Sequence, residues 1–322
     1  MVRRKRKTYK YFKEYKFSNV FAMIRNNRRK PKTTEELFTG KTVVITGATS
    51  GIGKLVAKEY ASKGANLICV NRNEEKSLDL KKEIEADFNV KCDYFIADLS
   101  SMEDTHNVAD LLAGLNTNLD VIIHNAGVFL TKRELTADGI EKVFMVHYLS
   151  SFIINYKLKE KLIAQDKARI ILVNSEGHRF AAWGLRLDDL NWEKRRYTGL
   201  KSYGSAKLAQ LLSMLVFHKH FENTGVTIIA MHPGAVKSET GKENGRFYKW
   251  YKKNVIDRTL KPASISSDAL YYLGVKDEIE EYGGKFFNLT KLEEPTPPAL
   301  DFEVAEELWD ITLKMAKLVK DE

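Results

Sequence analysis

Cysteine is nearly absent: Cys69 and Cys92 are the only two in 322 residues. Two thiols in apolar, strand-like runs exclude a disulfide framework and a thiolate metal site, and they point to a reducing compartment. Proline is equally scarce, with none between Pro31 and Pro233, so no ring interrupts helices or strands over that span. No run approaches the roughly 18 apolar residues of a membrane-spanning helix. A secretory apolar segment is also missing, Met1-Val2 excludes N-myristoylation, and the final Lys320-Asp321-Glu322 offers no prenylation cysteine. The expected location is therefore cytoplasmic.

Acid is missing from one end only. Residues 1–32 hold 13 Lys or Arg against the single acid Glu14, while the remaining 290 residues hold 39 basic and 42 acidic side chains. The formal charge of +9 is thus the property of a tail on a near-neutral body. Phe17, Val20, Phe21 and Ile24 share one helical face of that tail, flanked by Lys10, Lys13, Lys16, Arg25, Arg28, Arg29 and Lys30. This pattern suits a helix lying in an anionic membrane surface. Docking on the protein's own body and disorder are the competing readings. Interleaved Tyr and Phe would also allow base stacking on a nucleic acid, but nothing else in the chain supports that partner.

From residue 42 to about 290, strand-like and helix-like segments alternate, the pattern of a doubly wound (Rossmann) α/β fold with helices on both faces. Seven parallel strands are expected, at Thr42–Thr46, Asn66–Val70, Cys92–Ala97, Val121–His124, Ile170–Asn174, Val226–His232 and Lys285–Asn288. Between them fall helices over Ile52–Ser62, Glu74–Phe88, Met102–Leu115 and a long one near Ala137–Ala164. Glu293–Pro298 reads as a stiff surface loop before a last helix over Val304–Lys317. The division is a basic extension at 1–38 and one cofactor-binding domain at 39–322.

Two stretches carry chemistry. Thr46-Gly47-Ala48-Thr49-Ser50-Gly51-Ile52-Gly53 lies between a buried strand and a helix. Glycines there permit a tight turn and close approach of a pyrophosphate to the helix N-terminus. The second is Tyr203-Gly204-Ser205-Ala206-Lys207. A phenol and an ammonium one helical turn apart suit proton transfer to a carbonyl, because a nearby cation favours the phenolate. The spacing alone is weak: Tyr9/Lys13, Tyr197/Lys201, Tyr248/Lys252 and Tyr272/Lys276 share it. Tyr203 is selected because it opens a helical pattern after strand five. Tyr197, the nearest rival, has Gly199 behind it and reads as loop.

With these motifs the chain resembles the short-chain dehydrogenase/reductase family, whose turn is TGxxxGxG. The resemblance implies a cofactor site at Gly47, Thr49, Ser50, Gly51, Ile52 and Gly53. It continues through Asp98 and Leu99 to Asn125, Ala126 and Gly127, with His124 in the first position of the family's NNAG motif. Pro233, Gly234, Val236 and Ser238 follow strand six, beside the nicotinamide. Asn71 stands where an acid would hold the ribose of NAD, and Arg72 follows it, so NADP(H) is the expected cofactor. Ser175, Tyr203 and Lys207 are the implied catalytic group. His147 occupies the place of the family's catalytic Asn, whose backbone carbonyl holds a water near the lysine. His147 as a plain packed residue is the alternative.

Tyr203 follows Ser175 by 28 positions, with Leu187-Asp188-Asp189-Leu190-Asn191-Trp192 in between. That insert, with Ala206-Lys207-Leu208-Ala209 and His232-Pro233-Gly234, resembles the retinol-dehydrogenase-like branch. The branch implies a lipophilic alcohol, aldehyde or ketone as substrate, under a lid at about 239–263. A non-catalytic NADP-binding or scaffold protein of the same fold is the alternative function, motivated by His147. Association into a homo-oligomer stays open.

Overall fold

The computed structural model describes residues 10–15, 26, 30–234 and 262–319. The expected elements lying on 235–261, namely Val236, Ser238 and most of the 239–263 lid, fall outside the described residues. So do Phe17, Val20, Phe21 and Ile24.

Eight strands form one sheet in the order β3-β2-β1-β4-β5-β6-β7-β8. They are β1 (Thr42–Thr46), β2 (Asn66–Asn71), β3 (Cys92–Ile96), β4 (Val121–His124), β5 (Ala168–Val173), β6 (Val226–His232), β7 (Phe286–Asn288) and β8 (Lys291–Glu293). The first seven pair in parallel. Their apolar residues alternate between two cores, as a sheet buried on both faces requires. Val43 and Ile45 pack with α1 (Gly51–Ser62), α2 (Glu74–Phe88) and α6 (Ser264–Val275). Val44 packs on the other face with α3 (Met102–Ala113), α4 (Ser150–Ile163), α5 (Gly199–His220) and α7 (Phe302–Met315). Both cysteines are buried and free.

The sheet departs from the expected seven strands by β8, which turns back antiparallel on β7. Leu289 makes that turn at φ 54°. Three residues are too few to carry a period in the sequence. The expected surface loop at Glu293–Pro298 is also corrected. Glu293 ends β8, and Thr296, Pro297 and Pro298 are buried. The Thr296 amide donates to His178 Nε2 at 3.2 Å, which draws the segment inward. The long helix near 137–164 begins later than expected. Gly139, at φ 75°, closes a turn in which the Thr136 amide donates to Ile140 O. A helical turn at Lys142–Phe144 and a π-helical turn at Met145–Leu149 then lead into α4. A π turn widens the helix and re-aims its side chains, often at a functional site.

The described parts of the basic extension dock on the body. Tyr11 is 6% exposed and donates to Asp301 Oδ2 at 2.6 Å, beside the Lys10–Asp301 ion pair. Tyr15 donates to Ala182 O at 2.6 Å, and Asn26 Nδ2 donates to Glu293 Oε2 at 2.9 Å. Lys32 donates from its amide to Thr290 Oγ1 and from Nζ to Tyr272. Of the three readings of the tail, these contacts favour docking on the protein's own body. A chain starting at Thr33 is therefore expected to melt several degrees lower than the full chain. Each lost hydrogen bond is worth about 1 kcal/mol net, partly offset by the entropy of ordering the strap. Thermal denaturation checks this, and an unchanged Tm would mean that the strap adds no stability.

Candidate functional site

A cleft of about 470 Å³ opens at the carboxyl ends of the strands, where the order reverses between β1 and β4. That reversal is the ligand-binding position of open α/β sheets, because the adjacent crossovers diverge there. Gly47, Thr49, Ser50, Gly51 and Ile52 line one side. Gly47 and Gly51 have φ of 70° and 56°, conformations that a side chain would strain. Gly53 lies behind them, its missing Cβ replaced by Gly47 O, which would sit 2.1 Å away. Ser50 caps α1 without a side-chain hydrogen bond, so the helix N-terminus stays open to an anion.

The glycine turn is held from behind. Thr46 Oγ1 accepts from the amides of Asn125 and Ala126, both at 3.0 Å. Asn125 Nδ2 donates to Thr46 O at 3.1 Å and to Gly47 O at 3.0 Å. The Asn125 amide thus braces the turn, while the residue itself, with Ala126 and Gly127, lines the cleft. Asn71 does similar work: its Oδ1 accepts from the Ala48 amide at 2.8 Å. Its Nδ2 is buried without a partner. Buried polar groups of this kind are rare unless a ligand or water completes them.

Arg72 is exposed at the rim, joined there by Lys76, which the sequence reading missed. Asp98 and Leu99 line the same end. Asp98 Oδ1 accepts from Ser100 N at 2.9 Å and Ser100 Oγ at 2.8 Å. These bonds fix the carboxylate's direction.

At the far end the cleft holds His147, Ser175, Tyr203, Lys207, Pro233 and Gly234. Ser175 leaves β5 and caps a 3-10 turn over Glu176–Ala181, its Oγ accepting from the Gly177 amide at 3.0 Å. A hydroxyl that accepts from the backbone keeps its own proton free to donate outward. Tyr203 lies against Gly177, where a Cβ would come within 2.5 Å of its ring. Burial raises the Tyr203 phenol above its usual range, and the hydrogen bond with Ser175 opposes that. In this state the phenol holds its proton. Lys207 is 3% exposed, and burial brings its ammonium down to about 7. Its Nζ lies 5.9 Å from the Tyr203 ring centre and donates to Val173 O at 2.6 Å.

Tyr197 is settled as structural: its hydroxyl donates to Glu141 Oε1 at 3.2 Å. Phe129 and Phe180 instead bring apolar surface toward the Tyr203 helix turn. The Phe129 ring stands edge-on to it at 5.9 Å, and Phe180 packs over Gly204. Phe180 and Trp183 are 53% and 52% exposed.

His147 belongs to the π turn and stands perpendicular to Tyr203, ring centres 5.1 Å apart. Gly127 makes room for it, since a Cβ there would lie 2.3 Å from His147 Cε1. Its Nε2 lies 2.7 Å from Val128 O and 3.1 Å from Val128 N. Burial keeps the imidazole neutral by pushing its pKa well below the usual value. His147 is thus both packed and part of the cleft lining. The His147 carbonyl, where the resemblance places a relay water, accepts from Gln210 Nε2 at 3.0 Å. Gln210 sits three residues beyond Lys207, but one amide amid leucines gives no chemical signal in the sequence.

A family model described as short chain dehydrogenase matches residues 41–184. Human retinol dehydrogenase 13 is 32% identical over 284 residues, covering 87% of this chain and 85% of its own. Mouse retinol dehydrogenase 12 is 31% identical, covering 88% of each. Among solved structures, a Mycobacterium paratuberculosis protein is 25% identical, covers 88% of this chain and 95% of its own, and superposes with TM-score 0.69. A Shigella flexneri protein solved with NADP shares the fold at TM-score 0.62 and 21% identity, covering 80% of this chain and 99% of its own. By these likenesses, and by the glycine turn and the Ser175, Tyr203 and Lys207 geometry, the chain belongs to the retinol-dehydrogenase-like branch of the short-chain dehydrogenase/reductase family, oxidoreductases that bind nicotinamide cofactors.

Proposed function

We propose that the protein interconverts a lipophilic alcohol and its carbonyl compound with NADP(H). The observation that carries this reading is the meeting of Ser175 and Tyr203 at one end of a cleft whose other end presents Arg72 and Lys76. The fit to the cofactor rests on three features of the chain. The N-terminus of α1 is open, the glycine turn excludes side chains, and Asn71 Nδ2 is buried without a partner. NADPH supplies the hydride that reaches the substrate carbon. Ser175 donates a hydrogen bond to the carbonyl oxygen and holds it beside Tyr203. Tyr203 gives its proton to that oxygen as charge develops there, and takes it back in the oxidation direction. Its raised pKa suits the acid role in reduction. Lys207, near neutrality in its own titration, supports the phenolate left behind.

Phe129, edge-on to the Tyr203 ring, and Phe180, over Gly204, put apolar surface beside the reacting group, which favours a lipophilic substrate over a sugar. Reduction of a panel of lipophilic aldehydes and ketones with NADPH, followed by nicotinamide absorbance, tests the activity. Absence of turnover together with tight NADPH binding would favour the second reading, a cofactor-binding protein without catalysis. The one observation on that side is the Gln210 amide at the His147 carbonyl.

Arg72→Ala is expected to weaken NADPH by roughly 10–100-fold and NADH far less. A charge-assisted hydrogen bond to the 2′-phosphate contributes about 1.5–3 kcal/mol. Fluorescence titration of both cofactors reads this directly. Equal weakening of the two would place the 2′-phosphate elsewhere.

A further inference from the structure

Gln210 lies on α5 one turn after Lys207 and is 2% exposed. Its side chain is hydrogen-bonded at both ends. Nε2 donates to His147 O at 3.0 Å, while Oε1 accepts from Asn174 Nδ2 at 2.9 Å and from Lys207 Nζ at 3.4 Å. These partners fix the amide's orientation, since the oxygen faces two donors and the nitrogen faces a carbonyl. Asn174 adds a second link: its Nδ2 also donates to Lys207 O at 2.9 Å, and its Oδ1 accepts from the Ser175 amide at 2.8 Å. One buried amide therefore ties together the π turn of His147, the Lys207 ammonium and the strand end that presents Ser175.

We propose that Gln210 is a positioning residue, which fixes the Lys207 ammonium for the proton transfer together with Val173 O, the ammonium's nearer acceptor at 2.6 Å. The proposal rests on the reading of Tyr203 and Lys207 as the proton-transfer pair. Gln210 Oε1 favours the charged lysine, offsetting part of the burial that opposes it.

Among the described residues, the titratable groups facing Lys207 come from three elements: Tyr203 on α5, His147 on the π turn and His124 at the end of β4. Burial brings His124 down to about 4 and keeps His147 neutral as well, so neither imidazole changes charge near pH 7. Gln210 is thus the polar side chain through which the lysine's charge can be tuned in either direction.

Two substitutions of similar volume test this by sign. Gln210→Leu removes the acceptor and is expected to move the alkaline limb of the kcat/KM profile for carbonyl reduction down by about one pH unit. Gln210→Glu places a carboxylate at the same distance and should move it up by about one unit or more. Residual turnover in either variant suffices, because the limb's position is read and not its height. A residue that merely packed would lower kcat in both and leave the limb in place.

Titration of the Lys207 ε-carbon by NMR, in protein labelled with 13C at lysine ε-carbons, gives a readout free of turnover. Its resonance is identified by its loss in Lys207→Met. The same opposed shifts are expected there. If wild type reduced no carbonyl, the functional reading would fail while this titration still decided the Gln210 link. A Lys207 resonance that titrates at one pH in wild type and both variants overturns the proposal.

Discussion

Tyr203→Phe is expected to bind NADPH as wild type does while turnover falls by about 10²–10⁴-fold, the usual loss of a general acid. The substitution keeps the ring that packs between Gly177 and Phe129 and removes only the hydroxyl beside Ser175. Ground-state binding is retained because the cofactor's pyrophosphate end is far from the phenol. Tyr197→Phe is the matched control. Its hydroxyl serves Glu141 and Leu130 O at the base of the insert, so turnover should stay within a few-fold of wild type. Turnover by the Tyr203 variant close to wild type, with NADPH bound, would remove the phenol from the mechanism.

Gly53→Ala should lose cofactor binding more completely than any rim substitution. The added methyl would lie 2.1 Å from Gly47 O and 2.5 Å from Asn125 Nδ2. Neither neighbour is the free end of a flexible chain. The first is the backbone of the glycine turn, and the second is the amide that braces it with two hydrogen bonds. Overpacking of this kind costs about 1–3 kcal/mol even where side chains yield, so affinity should fall by on the order of 100-fold. Stability should fall as well, because the same contact joins α1 to β1 and β4. Calorimetric titration with NADPH measures the first effect and thermal denaturation the second. A variant with wild-type affinity would mean that the turn is free to move and does not set the cofactor's seat.

The fold was legible because its elements announce themselves by period and punctuation. Val43, Val44 and Ile45 read as a strand buried on both faces, and the structure sends them alternately to the two cores. The glycines of the turn are legible for a similar reason: only their residue type tolerates the backbone and the contacts found there. β8 and the π turn at Met145–Leu149 escaped notice because three or five residues carry no period. The cleft's rim was read in part, through Arg72, while Lys76 was hidden by its resemblance to any solvated helix lysine.

By itself, the sequence carried the doubly wound sheet, the place of the glycine turn and the choice of Ser175, Tyr203 and Lys207 as the candidate group. Local spacing and residue type are enough for these, since each motif spans a single turn or helix. Only the tertiary structure sets the two nearest candidates apart by contact, Tyr203 lining the cleft and Tyr197 bonded to Glu141. It alone brought Gln210 of α5 to the carbonyl of His147, 63 residues earlier. It also laid Tyr11 and Asn26 against Asp301 and Glu293, more than 260 residues away. Such contacts depend on how helices and strap pack over the sheet, and no local pattern encodes that geometry.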